Sequence, residues 1–177
     1  EHENGIYGDY IREVNSAGDT VWEWHAHENL EIEKYPNAPM APRAVWAHPN
    51  SIQPLENGDV LVSWRHNNLI AVIDRQTGQF SFEWMGFELG HQHDFQRLEN
   101  GNYMVFLNQP PGRGGGQGSR VLEFDPLTKE PVWEYQGTPK YTFASPFISG
   151  AQRLKNGNTL ICEGLWGRIF EVTPLKE

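Results

Sequence analysis

Gln53-Pro-Leu-Glu-Asn-Gly-Asp, Gln96-Arg-Leu-Glu-Asn-Gly-Asn and Gln152-Arg-Leu-Lys-Asn-Gly-Asn are three copies of one phrase. Each runs into an apolar stretch: Val60-Leu-Val-Ser-Trp, Tyr103-Met-Val-Phe-Leu and Thr159-Leu-Ile-Cys. An Asn-Gly pair between β-prone runs is a strong hairpin signal, and the type I′ turn it suggests needs positive φ at both central residues. Gly58, Gly101 and Gly157 recur irregularly, at roughly the length of one small antiparallel sheet per repeat. Such a spacing predicts the blades of a β-propeller.

A second half of the repeat follows each hairpin. It reads Ile70-Ala-Val-Ile-Asp-Arg-Gln-Thr-Gly then Phe80-Ser-Phe-Glu-Trp, and Arg120-Val-Leu-Glu-Phe-Asp-Pro-Leu-Thr-Lys then Val132-Trp-Glu-Tyr. The N-terminus carries this half alone, as Tyr10-Ile-Arg-Glu-Val and Val21-Trp-Glu-Trp. Trp22, Phe82 and Trp133 are therefore equivalent positions, as are Trp24, Trp84 and Tyr135. Apolar residues alternating with Glu fit half-buried strands, and these aromatics are expected to pack blade against blade. Residues 151–173 supply a first strand, a hairpin and a third strand.

The expected fold is all-β: a single partial β-propeller of four-stranded antiparallel blades. Residues 1–26 form a C-terminal half-blade, 46–86 and 91–137 two complete blades, and 148–177 an incomplete one. Propellers typically have four to eight blades, so the chain reads as part of a larger ring of about six. Its open edges would otherwise be completed by self-association or by other chain segments. Residues 27–45 read as a long crossing between blades, and the Gly-rich residues 109–119 as a solvated loop. That loop lacks the Gly-Lys-Ser/Thr and following helix of a phosphate-binding motif.

Composition narrows the function. A net charge of −9 argues against nucleic acid as a partner, because such binding rests on neutralising phosphates. No apolar stretch is long enough for a membrane span. The single Cys162 excludes an intrachain disulfide and is expected to be a buried strand residue. The first residue is Glu1 rather than Met, as expected of a processed or trimmed chain.

Chemistry concentrates just ahead of the hairpins, where a propeller turns its innermost strands toward a central mouth. His48-Pro-Asn50-Ser-Ile precedes the first phrase and His91-Gln-His93-Asp-Phe the second; the third has Phe147-Ile-Ser-Gly-Ala and no histidine. His48 and His93 are expected to approach one another across the mouth, with Arg65 and His66 at its rim. Imidazoles and a guanidinium converging there suit a tetrahedral oxyanion. A histidine oriented through its second nitrogen could also be a nucleophile, with Asp94 or Asn50 as local orienting partners. His48, His91 and His93 as three zinc ligands is a competing arrangement.

His48-Pro-Asn-Ser-Ile followed by Arg65-His66-Asn67 resembles the central-channel segment of the arylsulfotransferase family of β-propellers. So do Gln92-His93 ahead of a hairpin, Arg120-Val-Leu-Glu-Phe with Val132-Trp-Glu-Tyr, and the tail from Phe143-Ala-Ser-Pro-Phe to Thr159-Leu-Ile. The resemblance spans residues 9–174 and extends to the related quinoprotein-like propellers. It implies a transferase that moves a sulfuryl group from an aryl sulfate to a phenolic acceptor without a nucleotide donor or any cofactor. His93 matches the nucleophile, while His48 and Arg65 match the groups that hold and neutralise the sulfate. Asn50, His91 and His66 are expected to line the substrate space. A periplasmic or secreted location is compatible with the resemblance. The alternative is a non-catalytic propeller that binds a ligand or a protein partner.

Overall fold

All three Asn-Gly phrases turn hairpins in the computed structural model, which describes residues 5, 7–39, 41–109 and 118–177. The turn is not type I′. Gly58 N–H donates to the Leu55 carbonyl (2.9 Å) and Leu55 N–H to that of Asp59 (2.8 Å), so Glu56, Asn57 and Gly58 all lie in the loop. Gly58, Gly101 and Gly157 take φ of 91°, 90° and 89°, whereas the preceding asparagines stay out of the positive-φ region. This is a type I turn closed by a glycine bulge, the solution a three-residue loop favours. Asparagine serves through its side chain instead: the Oδ1 atoms of Asn57, Asn100 and Asn156 accept the amides of Asp59, Asn102 and Asn158 at 3.1, 3.0 and 3.0 Å.

The glycine requirement can be isolated at Gly101, where an added Cβ would meet nothing within 4 Å. Gly101→Ala should therefore cost only the left-handed backbone, about 1–2 kcal/mol. A lower urea midpoint at unchanged m-value would register it.

The described strands assemble in four antiparallel sheets. Strands β1 (Tyr10–Val14) and β2 (Thr20–His25) pair alone, and the short helix α1 (Ala26–Asn29) follows. The next sheet runs β3 (Pro49–Pro54), β4 (Val60–Trp64), β5 (Leu69–Ile73) and β6 (Phe80–Met85) in order. Its neighbour contains β7 (His93–Arg97), β8 (Tyr103–Leu107), β9 (Arg120–Phe124) and β10 (Pro131–Gln136), again in simple meander order. The last contains β11 (Gly150–Arg153), β12 (Thr159–Glu163) and β13 (Arg168–Val172). This is an all-β partial propeller.

Period-two side-chain alternation divides each central strand between two cores. Val60, Val62 and Trp64 of β4 pack with Ile11, Trp24 and Trp46 toward the N-terminal hairpin. Leu61 of the same strand joins Ile70, Phe95, Tyr103 and Phe124 toward the next sheet. Met104, Phe106 and Val121 then meet Phe143, Ala151, Ile161 and Val172 of the last one. Both faces of β4 and β5 are covered, so every residue in them is buried although antiparallel strands often keep one wet face. On β12 and β13 one face is covered. Ile169 is 68 % exposed there, and Cys162, expected to be buried, is exposed on that same uncovered face.

The repeated aromatics do pack between sheets, and three of them add a polar tie, Trp24 through its indole N–H to the Gly78 carbonyl at 2.9 Å. Trp22 and Trp133 donate their indole N–H to equivalent turn carbonyls, Arg75 (3.2 Å) and Pro174 (3.0 Å), in the following sheet. The repeat glutamines act likewise: Gln53 Oε1 accepts the Arg97 amide (2.6 Å) and Gln96 Nε2 donates to the Ala151 carbonyl (2.8 Å). The first letter of the phrase is thus a stitch between the inner strands of successive blades. Within the crossing, α1 is followed by turns that bury Leu30, Tyr35 and Ala38. Most of the Gly-rich loop, residues 110–117, lies outside the described residues. No described helix is long and apolar enough to cross a membrane.

Candidate functional site

Counting from the repeat glycine aligns the inner ends of the blades. At one offset before it stand Asn50, His93 and Ser149; at one offset after it stand Arg65, Asn108 and Gly164. The first group enters the innermost strand and the second leaves the strand beside it, so hairpin geometry brings them together at the same end of each sheet. The pairing is direct in two blades. His93 Nδ1 lies 2.7 Å from Asn108 Oδ1, and Ser149 Oγ accepts the Gly164 amide at 2.9 Å.

The positively charged side of the site comes from the first blade. Arg65 follows the end of β4, with its amide held by the His48 carbonyl at 3.0 Å. His48 is exposed and its ring stacks on His66, with centroids 4.5 Å apart and planes 18° from parallel. His66 in turn lies 6.5 Å from the His91 ring. His66 and His91 are each only 3 % exposed, so the row runs from solvent at His48 into the protein. Val45 carbonyl, 3.0 Å from His66 Nδ1, makes that nitrogen a donor. His48 thus meets His66 by ring stacking, whereas Arg65 and His48 reach His93 through charge.

That charge is felt at His93, which is half-buried. Burial above all, then the positive charges of Arg65 and His48, hold its pKa below the ordinary 6.5, against opposing hydrogen bonds to Asn108 and His91. His93 is consequently a neutral base at neutral pH. Between the depressed native value and 6.5 the unfolded chain binds more protons, so stability is complete above this window and falls as pH drops through it. Arg65→Ala removes one like charge and should raise the pKa of His93, which an NMR titration of its ring protons would register as a midpoint moved toward 6.5.

The two residues that sequence proximity offered as partners for His93 are engaged elsewhere. Asp94 Oδ2 accepts the Ala151 amide at 2.7 Å, a stitch between blades, and burial raises its pKa. Its carboxylate is committed to backbone, which answers how an acidic residue can sit beside a cationic site. Asn50 Nδ2 donates to the Gln92 carbonyl at 2.7 Å, while its Oδ1 is buried without a hydrogen-bond partner among the described residues. The partner is Asn108, 1 % exposed, which the linear reading passed over. Only its shared offset with Arg65 could have revealed it. Among the described residues no three His, Cys, Asp or Glu side chains are grouped to hold a metal ion, so the arrangement of His48, His91 and His93 is not that of a zinc site.

In fold, the chain is similar to several solved propellers. A protein of unknown function from Bacteroides caccae aligns over 96 % of this chain and 53 % of its own length, with 17 % identity and a TM-score of 0.60. A streptogramin B lyase aligns over 95 % and 46 %, with 14 % identity and a TM-score of 0.56. Virginiamycin B lyase from Staphylococcus aureus aligns over 93 % and 48 %, with 14 % identity and a TM-score of 0.53. The chain thus spans about half the length of these structures. No curated protein matches it in sequence. The family model described as arylsulfotransferase (ASST) matches residues 4–176, nearly end to end, and the chain belongs to the arylsulfotransferase family.

Proposed function

We propose that this chain carries the core of an aryl-sulfate sulfotransferase site, in which His93 accepts the sulfuryl group from an aryl sulfate and passes it to a phenol. The observation that carries the reading is a half-buried imidazole, its pKa held down first by burial, close to the Arg65 guanidinium and the His48 ring. A neutral imidazole is nucleophilic, and its neighbours supply charge where three sulfuryl oxygens become more negative in the transition state.

The steps balance simply. An imidazole lone pair attacks sulfur, an N–S bond forms, and the S–O bond to the aryl group breaks, releasing an aryl oxide. That oxide leaves and is protonated from solvent, and the phenol that then enters gives up its own proton to solvent, so the proton count balances. The acceptor oxygen then attacks sulfur, the N–S bond breaks, and its electron pair returns to the ring. Arg65 and His48 hold the sulfate through both halves, with Asn50, His66 and His91 around them. His66 and His91 are buried behind His48, His66 stacked on its ring and His91 6.5 Å further in.

Incubating the purified protein with p-nitrophenyl sulfate and phenol tests this. Nitrophenol release that depends on the acceptor, with parallel double-reciprocal lines as donor and acceptor are varied, is the expected result. Release at the same rate without acceptor would indicate hydrolysis, and no release at all would overturn the proposal.

A further inference from the structure

We propose that Asn108 is a positioning residue that decides which nitrogen of His93 reacts: it accepts from Nδ1–H and leaves Nε2 as the attacking atom. The catalytic consequence rests on the sulfotransferase reading above, whereas the tautomer does not.

Two groups lie within bonding distance of His93 Nδ1, namely Asn108 Oδ1 at 2.7 Å and the His91 carbonyl at 3.1 Å. Carbonyl oxygens only accept. The amide of Asn108 cannot be turned around, because its Nδ2 lies 2.7 Å from the Ser145 carbonyl and 2.6 Å from that of Ile148. Exchanging oxygen and nitrogen would set oxygen against two further acceptors and leave a buried N–H group facing Nδ1. The assignment is therefore fixed by the network rather than chosen for convenience. Nδ1 carries the proton, and in the neutral ring the lone pair is on Nε2.

The rest of the fold reinforces this geometry. Asn108 leaves β8 at the offset Arg65 occupies after β4, so one structural position supplies a cation in one blade and the orienting amide in the next. The backbone carbonyl of Asn108 also accepts from Ser119 Oγ at 3.0 Å, and Ser119 is fully buried. The choice of an amide has a chemical reason. Sulfuryl transfer onto Nε2 leaves positive charge on a ring whose remaining proton is on Nδ1. A neutral oxygen stabilises that charge, whereas a carboxylate in its place would favour the imidazolium of the resting protein and remove the nucleophile.

Long-range 1H–15N correlation spectra of uniformly 15N-labelled protein, recorded above the pKa of His93 and without substrate, read the tautomer directly. The wild-type ring should be in the Nδ1–H form. Asn108→Ala leaves only the longer bond to the His91 carbonyl, so the Nε2–H form should appear. Asn108→Ser, which can still hydrogen-bond the Ser145 or Ile148 carbonyl, should do the same with less disturbance of the fold. A wild-type ring in the Nε2–H form overturns the proposal without any variant, as do Ala and Ser spectra identical to wild type. With p-nitrophenyl sulfate and phenol, the variants should lose kcat by up to about 10⁴-fold, the cost recorded for a wrong histidine tautomer in a serine-protease triad, with little change in donor KM. An Nδ1–H ring in a protein without transfer activity would sink the sulfotransferase reading and leave the role of Asn108 standing.

Discussion

Alanine at position 93 is expected to eliminate sulfuryl transfer while leaving the fold in place. Removing a covalent nucleophile typically costs on the order of 10⁴–10⁶-fold in kcat, because no other group can form the intermediate. Near His93 the other candidates are poorly suited: Arg65 is always protonated, and Asp94 is tied to the Ala151 amide. The structural cost is small by comparison. His93 is half-buried, and its loss leaves Asn108 Oδ1 without its 2.7 Å partner, a penalty of about 1–3 kcal/mol for one orphaned acceptor. Far-UV circular dichroism should accordingly be unchanged and the urea midpoint should fall by no more than that penalty, while nitrophenol release falls to background. Donor incubated without acceptor should leave an acid-labile sulfuryl adduct on wild-type protein, mapped to His93 by peptide mass, and none on the variant. Retention of even a few per cent of wild-type kcat in His93→Ala would remove His93 from the chemistry. His48→Ala offers a useful contrast, since a sulfate-holding role predicts mainly a raised donor KM.

Much of the architecture was legible in the repeated phrase, because the fold is carried by short-range signals. An Asn-Gly hairpin, an alternating strand and an aromatic strand are each local, and their recurrence gives the sheets in order. The turn type was misread for an equally local reason: the type I′ expectation placed two residues in the loop, whereas the register puts Glu56 there as well. The site was legible in part. His48, His93 and Arg65 could be singled out because histidines ahead of an inner strand are unusual chemistry for a scaffold position. Asn108 could not, since an asparagine after an apolar strand reads as a loop residue and its partner lies across a hairpin. Asp94 misled in the opposite direction. Adjacent in sequence to His93, it lies in the register break at the start of β7, with φ of 52°, and turns to the next blade to serve the scaffold. A bulge redirects such a neighbour, so in this fold the partner of a mouth residue is found across the hairpin and not by proximity.

Trp64→Ala should be the most destabilising single substitution in the first full blade, and it should reach the site as well. Trp64 is fully buried at the inner end of β4, with Trp24 and Phe80 rings at 5.5 and 5.6 Å. Truncating a large core aromatic costs about 3–5 kcal/mol from lost burial and an unfilled cavity. That is a large share of the roughly 5–15 kcal/mol that holds a domain together. Collapse around the void is limited because β4 is pinned on both sides, with Trp64 paired to Pro49 on β3 and to Leu69 on β5. Trp64→Phe should recover part of the loss. A Trp24/Trp64 double-mutant cycle should return a coupling of about 0.5–1.5 kcal/mol, the magnitude of an aromatic pair beyond area burial. The functional consequence follows from the chain: Arg65 is the next residue, and the Trp64 carbonyl accepts from buried Gln92 at 3.2 Å, directly before His93. Loosening this point shifts the cation and the imidazole relative to each other, so under conditions where the variant is still folded, kcat should fall and the pKa of His93 should move. A urea midpoint within about 1 kcal/mol of wild type, at unchanged m-value, would show that β4 does not depend on this ring. An unchanged His93 titration in folded protein would separate the core from the site.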